Sequence, residues 1–249
     1  MHVKNTPVTG PRYWAALCCV SILGCNSGDF VSKVLHLGHT NGLLPEAVVF
    51  AIILLAERLL RVRTEAYYWL ALVTMRTAAT NLGDTMKHEL AIPWLVSLGG
   101  LAVGLVAVQV AEKLLAPRDP GEVATGIPDT NAFYWCTMLI AGALGTVGGD
   151  YVADVVGLGE GMGTVVLTAA LAVALSARTF LGLVGRPSYW GTVVLVRCAG
   201  TTAGDYFAGR HGLNLGLPVS TAIWAIATIV LLLVWRAGEP VATPVHSTP

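Results

Sequence analysis

Long apolar runs separated by short polar breaks dominate the chain. Each run has the length of a membrane-crossing helix, about 20 residues at about 1.5 Å of rise. Their limits predict eight helices in alternating order. The odd-numbered ones run approximately Tyr13–Val34, Tyr67–Leu90, Phe133–Val156 and Tyr189–Ala208. The even-numbered ones run approximately Leu43–Leu60, Pro93–Leu115, Gly163–Leu183 and Leu215–Trp235. The breaks fall at Gly38-His-Thr-Asn-Gly42, Gly157-Leu-Gly159 and Gly212-Leu-Asn214, where glycine supplies turn conformations.

An internal repeat underlies this pattern. Tyr13-Trp14 leads to Gly28-Asp29, Tyr68-Trp69 to Gly83-Asp84, Tyr134-Trp135 to Gly149-Asp150, and Tyr189-Trp190 to Gly204-Asp205. In every copy the aspartate follows its tryptophan by 15 positions, with no insertion or deletion between them. Four such intervals define a repeat of two helices. Successive tryptophans are 55, 66 and 55 residues apart, which groups the copies in pairs. The expected organisation is a first half over 1–116, a linker over 117–130, a second half over 131–237 and a polar, proline-rich, disordered tail over 238–249. The fold class that follows is an all-α integral membrane protein: eight transmembrane helices from four parallel two-helix repeats, in two pseudo-symmetric halves.

Composition agrees with lipid as the solvent. The chain is 55% hydrophobic and 12% charged, with a mean hydropathy of +0.68, whereas soluble domains carry about 25% charged residues. Zero formal net charge and no basic run leave nucleic-acid binding without support. The polar first eleven residues do not read as a cleavable signal peptide. Cys18, Cys19, Cys25, Cys136 and Cys198 form no C-x-x-C pair and read as small core residues. Ten basic residues fall on the side of the termini (Lys4, Arg12, Arg58, Arg61, Arg63, Lys113, Arg118, Arg178, Arg186, Arg236) against Lys33, Lys87 and Arg210 on the other. That bias places both termini in the cytoplasm.

Two spans per repeat make every copy enter the membrane in the same direction. The four Tyr-Trp pairs then share the cytoplasmic interface, where Trp14, Trp69, Trp135 and Trp190 are expected to act as interfacial anchors and packing. The four aspartates lie roughly 22 Å deeper, on one axis or in two half-sites. An ionised aspartate in hydrocarbon costs about 2.5 to 3.5 kcal/mol, so Asp29, Asp84, Asp150 and Asp205 require water, a cation or an arginine. Small and polar residues precede them: Thr80, Asn81, Thr146 and Thr201 offer hydroxyl and amide ligands, and Gly beside Asp allows the helix to break and free carbonyls. Such hard oxygens suit Mg²⁺, Mn²⁺ or Ca²⁺. Copy three adds Asp154 and Glu160 and is where a single metal site is expected first. Among His36, His39, His88 and His211, His88 is the strongest metal candidate because it lies four residues after Asp84; a lone loop histidine is ordinarily just solvated. Haem is also open. Arg76 and Arg197 stand seven residues after their tryptophans, where copies one and three have Ser21 and Gly142, and this alternation suggests twofold symmetry. They could neutralise aspartates of other helices or bind an anion. The bland reading of the acidic set is that the aspartates only cap helix ends or pair with arginines.

The arrangement Tyr-Trp, then Thr-x-x-Gly-Asp, then Gly-Leu-Gly resembles a bacterial family of integral membrane proteins of unknown function. Its members carry four tandem repeats, each of two transmembrane segments with a characteristic tryptophan. The resemblance runs from about Arg12 to Trp235, and copy one departs from it with Cys25 in the threonine position. It implies the bacterial inner membrane and supplies no activity. No Walker A, G-x-S-x-G, H-E-x-x-H or dinucleotide motif is present. The expected function is secondary transport or exchange of a small cation, divalent by preference, through the intramembrane aspartates. A lipid-, quinone- or haem-binding embedded enzyme and a non-transporting partner subunit are the rival expectations. The expected partners are the lipid bilayer, the cation or another small solute, and further copies of the same chain.

Overall fold

The computed structural model describes residues 6–60, 64–115, 126–183 and 185–237. The tail expected to be disordered, most of the linker and several of the counted basic residues (Lys4, Arg61, Arg63, Arg118) lie outside them. The described residues form eight long α-helices and no strand: α1 Pro11–Asp29, α2 His39–Leu60, α3 Ala66–Asp84, α4 Trp94–Leu115, α5 Ala132–Asp150, α6 Gly159–Phe180, α7 Arg186–Ala208 and α8 Leu217–Ala237.

Five helical stretches are long and apolar enough to cross a membrane: Pro11–Val34, Trp94–Leu115, Ala132–Val155, Gly159–Phe180 and Leu217–Trp235. The other three carry charged residues: α2 holds Glu46, Glu57 and Arg58, while α3 and α7 hold Arg76 with Asp84 and Arg197 with Asp205. The outward faces of α2, α4, α6 and α8 present Ile52, Leu55, Val103, Val106, Val173, Ile226 and Leu233 largely exposed. Water-soluble monomers rarely expose so continuous an apolar surface. Lipid is the solvent it suits.

The odd-numbered helices form the interior. α1 packs on α3, α3 on α5, α5 on α7 and α7 back on α1, so the ring closes. Each even-numbered helix lies outside this ring and packs on the first helix of the following repeat: α2 on α3, α4 on α5, α6 on α7 and α8 on α1. A repeat thus covers its neighbour more than itself. The ring has no seam at the linker, because α3–α5 and α7–α1 are contacts of the same kind as α1–α3 and α5–α7. Paired spacing in sequence accompanies fourfold packing in space.

The glycine before each aspartate shows why the inner helices come so close. A Cβ on Gly28 would lie 2.8 Å from Thr80 Cβ; on Gly83, 3.0 Å from Thr146 Cβ; on Gly149, 2.9 Å from Thr201 Cβ; on Gly204, 3.3 Å from Cys25 Cβ. In each case the glycine of one copy seats the residue four positions before the aspartate in the next copy. The expected helix break at Gly-Asp is therefore corrected: the α-helix continues through the aspartate, and glycine serves close approach. The departure from α geometry comes one residue later. Phe30–Val34, Thr85–Glu89 and Tyr151–Val155 are π-helical, closed by Leu35 N–H to Phe30 O at 3.0 Å, Leu90 to Thr85 at 2.9 Å and Val156 to Tyr151 at 3.0 Å. Copy four has no such turn and stays α-helical to Ala208.

Two helix starts also differ from expectation. α2 begins at His39, four residues early, because Glu89 from the end of copy two accepts the free amides of His39 (3.0 Å) and Thr40 (3.2 Å). An acidic group at a helix N-terminus satisfies orphan donors and opposes the helix dipole. α6 begins at Gly159 after a turn through Gly157, whose φ of +78° disfavours any side chain.

The seat geometry predicts a contrast between two glycine-to-alanine changes. Gly149→Ala puts a Cβ 2.9 Å from both Cys198 O and Thr201 Cβ, whereas Gly99 has nothing within 4 Å. The first is expected to lower stability by about 1–3 kcal/mol through overpacking, and Gly99→Ala to be neutral or stabilising. Thermal melts of the two detergent-purified variants read the difference; equal melting temperatures would remove the seat.

Candidate functional site

The ring axis carries the repeat's polar positions in layers. From the Tyr-Trp end, each inner helix contributes its tyrosine, then the position of Ser21, Arg76, Gly142 and Arg197, then Cys25, Thr80, Thr146 and Thr201, and then its aspartate.

At the first layer the four tyrosine hydroxyls close a cycle. Tyr13 lies 3.0 Å from Tyr68, Tyr68 2.7 Å from Tyr134, Tyr134 3.1 Å from Tyr189, and Tyr189 2.6 Å from Tyr13, oxygen to oxygen. A hydroxyl is one donor and two acceptor sites, so each can donate to one neighbour and accept from the other. All four are at most 1% exposed. Each tyrosine also packs against the next copy's tryptophan, with ring centroids 5.7 Å apart for Tyr13–Trp69, 6.2 Å for Tyr68–Trp135, 5.5 Å for Tyr134–Trp190 and 5.8 Å for Tyr189–Trp14. The expectation of interfacial anchors is corrected here: Trp14, Trp69, Trp135 and Trp190 are buried at 8, 4, 4 and 1% exposure. Their packing role stands, in a plug rather than a lipid-facing belt.

Below the plug Arg76 is buried and reaches three helices. Its Nη1 donates to Thr80 Oγ1 and Thr146 Oγ1, both at 2.8 Å, and its Nη2 to Thr201 Oγ1 at 2.7 Å. Three of the four repeat threonine positions are thereby collared by one guanidinium, and Cys25 holds the fourth. Neither Arg76 nor Arg197 forms an ion pair with an aspartate among the described residues.

The aspartates converge on one cavity of about 610 Å³, open at the end opposite the tyrosines. Asp29, Asp84, Asp150 and Asp205 all line it, with Thr80, Thr146, Thr201, His88 and Asp154. One axis, not two half-sites, is the outcome. Asn81 stands apart from this lining: it is buried and donates to Glu46 Oε1 of α2 at 2.6 Å.

Lysines compensate part of the charge. Lys33 Nζ, one turn along the helix, lies 2.8 Å from Asp29 Oδ1. Lys87 crosses to the next copy and bridges Asp150 Oδ2 (3.2 Å) and Asp154 Oδ2 (3.1 Å), while also lying over the Trp94 ring. The acidic copy three is thus bound to a lysine of copy two. His39, not His88, sits beside Asp84, with Nδ1 3.6 Å from Oδ2 and 3.3 Å from Asn81 Oδ1; His88 stacks on His39 at 5.9 Å. Asp205 has no ion-pair partner among the described residues. No group of three or more His, Cys, Asp or Glu side chains among those residues is arranged to hold a metal ion, so the first-named metal set (Asp29, Asp84, Asp150, Asp205, His88) lines the cavity without forming a closed cage.

Sequence reasoning ranked His39 below His88, counted Lys87 only as a surface charge and passed over Glu46 and Glu89. Lys87 had a signal in its place three residues after Asp84; the other three join through packing between repeats, which repeat spacing does not display.

The fold and site define an all-helical repeat protein with an apolar exterior and a polar axial cavity. Residues 133–182 and 188–239 match the family described as Repeat of Unknown Function (DUF347). These two stretches are copies three and four, each containing a Tyr-Trp pair and a Gly-Asp pair. No curated protein and no solved structure shows significant similarity to the chain.

The tyrosine cycle predicts non-additive mutants. Tyr68→Phe leaves Tyr13 and Tyr134 each short of a partner and is expected to cost about 1–3 kcal/mol. Replacing all four by Phe removes every orphan together, so the quadruple variant is expected to lose far less than four times the single loss in a thermal melt.

Proposed function

We propose that this protein is a secondary transporter or exchanger of a small cation, with eight transmembrane helices in the bacterial inner membrane and both termini in the cytoplasm. The observation that carries the reading is the convergence of four equivalent aspartates, one per repeat, on a single cavity open at one end and plugged at the other. Six carboxylates line that cavity against Lys33, Lys87 and Arg210. A surplus of carboxylates in a low-dielectric enclosure attracts a cation and focuses its field.

In this reading the lysines act as internal counter-ions. They keep the cavity affordable to bury when no cargo is bound, and an entering cation displaces them from Asp29 and Asp150. Asp205, without a basic partner among the described residues, is the first carboxylate available to cargo, and threonine hydroxyls supply neutral oxygen ligands. The divalent class (Mn²⁺, Ca²⁺, Mg²⁺) matches hard oxygen donors once the lysine contacts open. With the aspartate end outside, the open cavity faces outward and the tyrosine plug with the Arg76 collar closes the cytoplasmic path. Alternating access requires these two layers to part while the aspartate end narrows.

Transport assays in proteoliposomes test this. Cation-selective flux is expected in the wild type, with a loss of tenfold or more in Asp205→Asn and in Asp150→Asn while both variants stay folded by circular dichroism. Unchanged flux in both, or no flux of any mono- or divalent cation in the wild type, would sink the proposal.

A further inference from the structure

The arginine layer holds buried polar groups without partners among the described residues. Arg197 is 0% exposed, and its Nε and Nη1 have no hydrogen-bond partner among the described residues. Its Nη2 meets only the weak acceptor Met138 Sδ at 3.3 Å. At the same repeat position Arg76 keeps an unpartnered Nε, and the buried Ser21 hydroxyl is unpartnered as well. Three of the four residues at this level are donors with unmet capacity, and the fourth is Gly142.

Among the described residues the neighbouring layers send no hydrogen bond to these donors and hold no counter-charge beside them. Toward the cavity the threonine hydroxyls already accept from Arg76. Toward the plug the tyrosine hydroxyls bond to one another. The carboxylates stand two layers away, and three of the four are engaged with Lys33, Lys87 and His39. Two buried guanidinium groups at one level also repel each other. A buried charge without a counter-charge is costly by several kcal/mol, and a guanidinium cannot shed its proton to escape.

We propose that a small monovalent inorganic anion of the halide class binds on the ring axis at this level, held by Arg197 Nε and Nη1 with Arg76 Nε and Ser21 Oγ as further donors. Enclosure between the tyrosine cycle and the threonine collar selects a monatomic or similarly small ion. Two guanidinium charges with unpartnered N–H donors select an anion over water, which would bring lone pairs but no charge. Nothing in this assignment depends on the nature of the cargo at the aspartates.

The test uses the purified full-length protein at constant ionic strength, with gluconate replaced stepwise by bromide. A saturable rise in melting temperature of a few degrees is expected in the wild type and no rise in Arg197→Met, which lacks the two principal donors and their charge. A wild type indifferent to bromide, or a rise that persists in Arg197→Met, overturns the site. Should Arg197→Met not fold, anomalous scattering from bromide-soaked crystals decides: a peak in contact with Arg197 supports the site, and its absence overturns it.

Discussion

Everything on the ring axis depends on how closely the four inner helices approach. The glycine before each aspartate receives the side chain of the next copy, and a methyl group there would push the helices apart. Close approach lets four tyrosine oxygens meet at hydrogen-bonding distance and lets one arginine span three helices. In a membrane no hydrophobic force drives helices together, so tight van der Waals contact and interhelical hydrogen bonds must do so. Small residues therefore come first and the polar layers follow from them.

Chemistry departs from the fourfold frame at selected layers. Arginine alternates with Ser21 and Gly142, and its stem lies over Gly24 for Arg76 and over Gly145 for Arg197. The two arginines do not act alike: Arg76 turns to the threonines, while Arg197 meets Met138. The aspartates likewise differ in company, with Lys33, His39 and Lys87 serving three of them and no basic group among the described residues serving Asp205. Equivalent backbone positions thus hold inequivalent electrostatic environments, and a single cargo or proton would meet four different carboxylates.

Charge is also sorted along the axis. Guanidinium groups and carboxylates occupy separate layers with the threonine collar between them, rather than cancelling pairwise. At low dielectric an uncancelled charge acts strongly over several ångströms. Such separation costs stability unless each layer meets a counter-charge, as the carboxylates meet Lys33 and Lys87.

The sequence by itself determined the eight helices, the repeat and the equivalence of Asp29, Asp84, Asp150 and Asp205. Hydrophobic run length and an unbroken interval between Trp and Asp are one-dimensional quantities, and a helix converts them directly into depth. Tertiary structure alone decided that the four aspartates share one cavity, that each even-numbered helix covers the next repeat, and that the tryptophans are buried. Those facts depend on which faces of different repeats meet. Lys87 illustrates the limit: its reach to Asp150 and Asp154 crosses from one repeat to the next. Spacing within a repeat carries depth along one helix, but the angle between helices is set by packing contacts between residues more than fifty positions apart.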